Sequence, residues 1–114
     1  MRSSLLSILA AVTATAKSLI VEKAIVYSKE PCEGEWQTIN PDDKCTLLPA
    51  NLRGIVNGAK VPEGVVCDFY TDDQCEEPLW IGMEDPGTCS FSELEIGNQA
   101  KSVHCYDDTE RGEM

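Results

Sequence analysis

YSKEPCEGEW, residues 27–36, returns in outline as YTDDQCEEPLW, residues 70–80: a Tyr, a Cys five positions on, and a Trp soon after it. The likeness continues downstream. Cys45-Thr46-Leu47 falls on Cys89-Ser90-Phe91, and with short gaps Asn57-Gly58-Ala59-Lys60 falls on Asn98-Gln99-Ala100-Lys101. Self-similarity of this kind marks a duplicated unit, neither copy of which buries its apolar face alone. The copies run over about residues 19–64 and 65–106.

The surrounding residues predict β-structure. AIVYS (24–28), VVCDFYT (65–71), PLWIGM (78–83) and KSVHCY (101–106) are short runs rich in Val, Ile, Tyr, Phe and Trp, bounded by Gly, Pro, Asp and Asn. No long apolar stripe of helical period competes with them. Residues 45–52 and CSFSELEIG (89–97) have room for a helical turn, with Ser90 or Ser92 as cap and Gly97 as stop; both are read as irregular connections. Each unit then reads strand, acidic hairpin tip, strand, long connection, strand, which is the order of a Greek key. The expected fold is all-β, two Greek-key units packed as a small disulfide-stapled sandwich.

Residues 1–16, MRSSLLSILAAVTATA, carry Arg2, an apolar run and small residues at Ala14 and Ala16. That pattern predicts a secretory signal peptide cut after Ala16, with Ala14 as the alternative. The run is too short to span a membrane, so a secreted, soluble chain from Lys17 is expected. All six cysteines follow the leader, and an oxidising compartment makes three disulfides the natural reading. Zinc is disfavoured, because no C-x-x-C occurs and His104 is the one histidine. Cys32 and Cys45 have counterparts in Cys75 and Cys89, whereas Cys67 and Cys105 face only Ala24 and about Gly64. Two cysteines absent together from one copy suggest one bond. The expected pairs, among 15 arrangements, are Cys32–Cys45, Cys75–Cys89 and Cys67–Cys105.

The net charge is −11, with nine Lys and Arg against twenty Asp and Glu. Phosphate contacts need a basic face, so nucleic acid is excluded as a partner, and attraction to anionic membranes is excluded with it. The tail from 107 to 114 is acidic and expected to be disordered.

Tyr27-x4-Cys32-x-Gly34 resembles the βγ-crystallin signature of an aromatic residue, four positions, a second aromatic, one position and a Gly, with Cys in place of the second aromatic. The second copy has Glu77 where that Gly would stand. Ser102 lies where the family's units place a Ser ahead of the last strand; the first copy has Val61 there. The resemblance covers residues 19–106. Calcium sites of that family use two Asn or Asp, two free positions, a Ser or Thr and a Ser. Asn98 and Ser102 meet two of those positions, and Asp72 and Asp73 offer hard oxygen ligands. Lys101 inside the loop opposes a divalent cation, so no metal or other cofactor is expected. The leader, cysteine spacing and acidity are also similar to small secreted cysteine-rich proteins of filamentous fungi. The resemblance implies an effector-like or toxin-like activity.

Catalysis finds little support in the residues. His104 alternates away from Val103 and Cys105 on its strand and reads as a sheet-surface histidine, and acidic residues are too numerous to single out a catalytic pair. A non-enzymatic binding protein with an extracellular protein partner, one with a basic face, is the leading expectation. Trp36 and Trp80 read first as core aromatics and otherwise as partner anchors. Residues 51–64, NLRGIVNGAKVPEG, are the cysteine-free basic stretch, and Arg53 and Lys60 in it would serve a protease inhibitor presenting a pinned loop. A calcium-binding or structural secreted protein is the third reading.

Overall fold

A computed structural model describes residues 22–109; the predicted leader, residues 17–21 and residues 110–114 lie outside them. The first unit contributes β1 (Ala24–Lys29), β2 (Glu33–Ile39), β3 (Asp42–Leu47) and β4 (Gly58–Lys60), and the second β5 (Val65–Tyr70), β6 (Pro78–Met83), β7 (Gly87–Thr88) and β8 (Ser102–Asp107). They pair antiparallel into two four-stranded sheets, ordered β2-β1-β4-β7 and β3-β8-β5-β6. The fold is all-β, as expected. Among the described residues, no helix is long and apolar enough to cross a membrane.

Each unit has a strand the sequence reading did not separate, and that strand leaves its own unit. β3 pairs with β8 of the second unit, and β7 pairs with β4 of the first. Chain chemistry explains the departure of β3. Only Asn40-Pro41 separates Ile39 from Asp42, and a two-residue hairpin would need φ > 0 at both positions or Gly at the first. Pro41 holds φ near −65°, so β3 cannot fold back beside β2. Three Cα steps reach roughly 10 Å when extended, about the spacing of packed sheets, and the chain crosses over.

This exchange corrects two of the three disulfides. Cys32 is bonded to Cys89 and Cys45 to Cys75, while Cys67 is bonded to Cys105. The expected Cys32–Cys45 and Cys75–Cys89 pairs do not form, because β3 carries Cys45 to the second sheet and β7 brings Cys89 to the first. Cys67 and Cys105 stand directly opposite on β5 and β8, with Cα atoms 4.1 Å apart, and both are buried between the sheets.

The inner faces alternate as a half-buried sheet requires. Ala24 and Val26 on β1, Cys67 and Phe69 on β5, and Val103 and Cys105 on β8 point into the core. Long connections add Leu48, Leu52, Val56, Phe91 and Ile96. Phe69 and Phe91 meet edge to face, with centroids 5.4 Å apart and planes at 86°, the geometry that aromatic quadrupoles favour. Phe91 opens a 3-10 turn, Phe91–Leu94. Its amino end is not capped by Ser90 or Ser92, and it closes at Glu95 in the left-handed region rather than at Gly97. Glu30, from the first hairpin tip, accepts the Ser92 N–H instead at 2.9 Å.

One alignment and one boundary also change. Tyr27 pairs with Gly58, and Tyr70 pairs with Ser102, so Ser102 corresponds to Gly58 and not to Val61. A Cβ at Gly58 would come within 3.2 Å of Cys32 Sγ, so the bare position makes room for the disulfide. β8 continues through Asp107, and the Asp108 N–H donates to the Gly64 carbonyl at 2.7 Å. Residues 107–109, expected in the tail, therefore belong to the folded unit.

Candidate binding face

The outer face of the first sheet gathers two of the four predicted partner-binding residues. Alternation turns Ala24 and Val26 inward, so Ile25 and Tyr27 look outward. Tyr27 lies opposite Trp36 on β2 and Gly58 on β4, and Ile25 lies opposite Thr38 and Lys60. Trp36 is 62% exposed. The Lys60 ammonium sits 5.6 Å from the centre of the Tyr27 ring, within cation–π range. Trp36 is thus a surface residue, against its first reading as core, and it shares a face with Lys60.

Trp80 and Arg53 lie elsewhere. Trp80 is on β6, an edge strand of the other sheet, opposite Phe69, and is also exposed. Arg53 stands in the turn after β3 and donates from Nε to the Leu48 carbonyl at 2.9 Å. Residues 51–64 are not a presented loop. Gly58–Lys60 form a strand held between β1 and β7, and Leu52, Val56 and Val61 are buried. An inhibitory loop must stand clear of its scaffold, and these residues are part of it.

Beside Lys60 the face opens into a groove of about 460 Å3, lined by Ile25, Lys60, Pro62, Pro86, Gly87 and Thr88, with Glu22, Lys23 and Asp85 also on its wall. Gly87 pairs with Lys60 across β7 and β4. Its φ of +79° and a Cβ position only 2.4 Å from the Ala59 carbonyl oxygen leave room for no side chain, so at Gly87 the wall of the groove is bare backbone.

The second sheet fills the matching place. There the row reads Asp68, His104, Cys45 across β5, β8 and β3. His104 Nε2 is 2.7 Å from Asp43 Oδ1, and Nδ1 is 3.4 Å from Asp68 Oδ2. Asp68 is buried and also accepts the Gly82 N–H at 2.7 Å. Burial, and then the charges of Asp68, Tyr106 and Asp72, push the Tyr70 phenol above its ordinary pKa. His104 is a sheet-surface histidine, but one held between two carboxylates that sequence spacing did not connect to it.

The calcium candidates act in the second hairpin tip and its neighbourhood. The Asp72 carboxylate accepts the N–H groups of Glu77, Glu76 and Gln74, which together hold it below the usual carboxylate range, the Glu77 bond foremost. Ser102 Oγ, fully buried, donates to the Asp72 carbonyl and accepts the Cys75 N–H. Asp73 is exposed, and Asn98 Oδ1 accepts from Asn57 Nδ2. Among the described residues, no three His, Cys, Asp or Glu side chains converge as a metal site. Asn57, matched to Asn98 in sequence, instead touches it, and its Nδ2 also donates to the Ser28 carbonyl.

Solved structures similar to this chain include βγ-crystallin domains. The fold is that of a βγ-crystallin domain. The chain superposes on the N-terminal domain of Protein S with a TM-score of 0.62 at 18% identity, covering 75% of this chain and 97% of that one. A structure described under the evolution of the eye lens βγ-crystallin domain fold gives 0.65 at 12% identity, covering 75% and 85%. A βγ-crystallin from an archaeon gives 0.60 at 19% identity, covering 72% and 94%. No protein-family model matches the sequence, and no curated protein matches it.

Proposed function

We propose that this chain is exported by its leader and acts without catalysis, binding an extracellular protein through the outer face of the first sheet. In this reading it works in the effector-like or toxin-like manner of small cysteine-rich fungal proteins. The observation that carries it is the exposure of Trp36, 62%, beside Tyr27 and Lys60 on one sheet face. An apolar ring of that size is costly to leave in water and is the residue type most enriched where partners bind. The surrounding charge, −11 over the chain, favours a partner with a basic face. Three disulfides suit an oxidising compartment, and the βγ-crystallin fold is that of structural and binding domains. The test is affinity capture with the oxidised chain from Lys17 as bait, beside a Trp36→Ala bait. A partner held through this face is lost from the variant by roughly 30-fold or more, as for an interface hot spot. Equal retention by both baits would refute the reading.

A further inference from the structure

The two copies differ most at one row of side chains, and the difference describes a ligand. In the second sheet the row carries a base, His104, with the carboxylates of Asp43 and Asp68 on its two nitrogens. In the first sheet Lys60 stands in the position of His104, since Tyr27 pairs with Gly58 as Tyr70 pairs with Ser102. The places of its acidic neighbours are changed. Ile25 replaces Asp68, and Gly87 on β7, in the register place of Cys45, presents no side chain, while Asp85 lies two residues before it on the groove wall. Among the described residues, no carboxylate lies within ion-pairing distance of Lys60 or Lys23. The groove opens at this point, with a volume in the range that small-molecule sites occupy.

We propose that the groove binds a small amphiphilic carboxylate, its carboxylate on the Lys60 ammonium and its apolar body along Ile25, Pro62 and Pro86. The ligand carboxylate supplies to Lys60 what Asp43 supplies to His104. Tyr27 steadies the cation from its other side through the ring face. Glu22 and Asp85 on the wall oppose an anion and Lys23 offsets one of them, so the site selects a single carboxylate on an apolar body over a polyanion. Ile25 and the two prolines provide the apolar contact that makes such a pair worth more than an exposed ion pair in water.

This inference goes beyond the Trp36 partner: it shares Tyr27 and Lys60 with that face and makes no use of Trp36. The test titrates the oxidised protein with octanoate and, separately, with octan-1-ol, following backbone amide NMR shifts. Octanoate is expected to move the amides of Ile25, Lys60, Gly87 and Thr88 and to bind at least about 10-fold more tightly than octan-1-ol, a gap of one charge-assisted contact. Lys60→Met should bring the two probes to within about twofold, while Lys60→Arg keeps the preference; unchanged shifts elsewhere in each variant establish that it is folded. Trp36→Ala should leave octanoate affinity in place, which separates this site from the partner face. Equal affinity for both probes, shifts that miss the groove, a preference that survives Lys60→Met, or no binding at millimolar octanoate would each overturn the proposal.

Discussion

Cys45, in the third strand of the first unit, is bonded to Cys75 at the hairpin tip of the second, with their Cα atoms 5.9 Å apart. Together with Cys32–Cys89 it fastens the strand exchange from both sides. Non-reducing peptide mapping should return these two pairs with Cys67–Cys105. For the 30-residue separation of Cys45 and Cys75, loop closure puts the stability lost in a Cys45→Ser, Cys75→Ser variant at about 3–4 kcal/mol, measured by denaturant unfolding. Recovery of a Cys32–Cys45 peptide would refute the exchange.

Exposure orders the three bonds for reduction. Cys67 and Cys105 are 1% and 0% exposed, whereas Cys45 is exposed and Cys75 partly so. Attack by a thiolate needs access to sulfur. Under mild reductant, alkylation should label Cys45 and Cys75 first and Cys67 and Cys105 last; early labelling of Cys67 would contradict the buried placement.

Acid should loosen the hairpin tips. Asp72 is held below its ordinary pKa by N–H donors of its own hairpin, Glu77 foremost, and Glu30 by the Ser92 backbone N–H, with further bonds from the Ser92 and Ser90 hydroxyls. A carboxylate whose folded pKa is depressed adds stability that is fully present above its unfolded value and is lost as pH falls through the folded one. Melting temperature should therefore drop on acidification below the ordinary carboxylate pKa values, 3.8 for Asp72 and 4.5 for Glu30. Asp72→Ala should lower the neutral-pH melting temperature and flatten the acid limb. An unchanged limb would argue that the cap contributes nothing.

Two glycines of like backbone angle should respond differently to alanine. Gly54 and Gly87 have φ of +80° and +79°, but a Cβ at Gly54 meets nothing within 4 Å, whereas at Gly87 it meets the Ala59 carbonyl oxygen at 2.4 Å. Gly54→Ala carries the left-handed backbone cost alone, about 1 kcal/mol. Gly87→Ala adds a backbone clash and should cost well over that, about 2–3 kcal/mol or more. Chemical denaturation of the two variants gives the comparison, and equal losses would rule out the close approach of β7 to β4.

The tryptophans report on the faces. Trp36 is 62% exposed and Trp80 36%. Acrylamide should quench Trp36 more steeply than Trp80, read in Trp80→Phe and Trp36→Phe respectively. The reverse order would remove the exposed platform from the first sheet.

The duplication was legible because both hairpins keep a Tyr and a Cys at one spacing, and the strands around residues 24–29, 65–70, 78–83 and 102–107 because Val, Ile and aromatic residues cluster there. β3 was not, since DDKCTL is charged and lies on an edge with most of its residues exposed, leaving no apolar alternation to read. The disulfides follow β3: spacing matches the cysteines unit to unit, but which sheet each reaches depends on a crossover that spacing does not encode. Trp36 reads as core from sequence because aromatic rings usually are, and its outward face is set by its pairing with Tyr27. The Asp43–His104–Asp68 cluster joins three strands distant in sequence, and no local pattern announces it. His104 alternated correctly to the outside; its partners came from elsewhere.

The exchange has a consequence for a chain that meets proteases. Hydrolysis of any peptide bond between Cys45 and Cys67 gives two fragments that remain tied by both Cys32–Cys89 and Cys45–Cys75. The exposed turn around Arg53 lies in that interval. A nick there releases nothing, and the two halves stay one covalent body with their shared sheets in place.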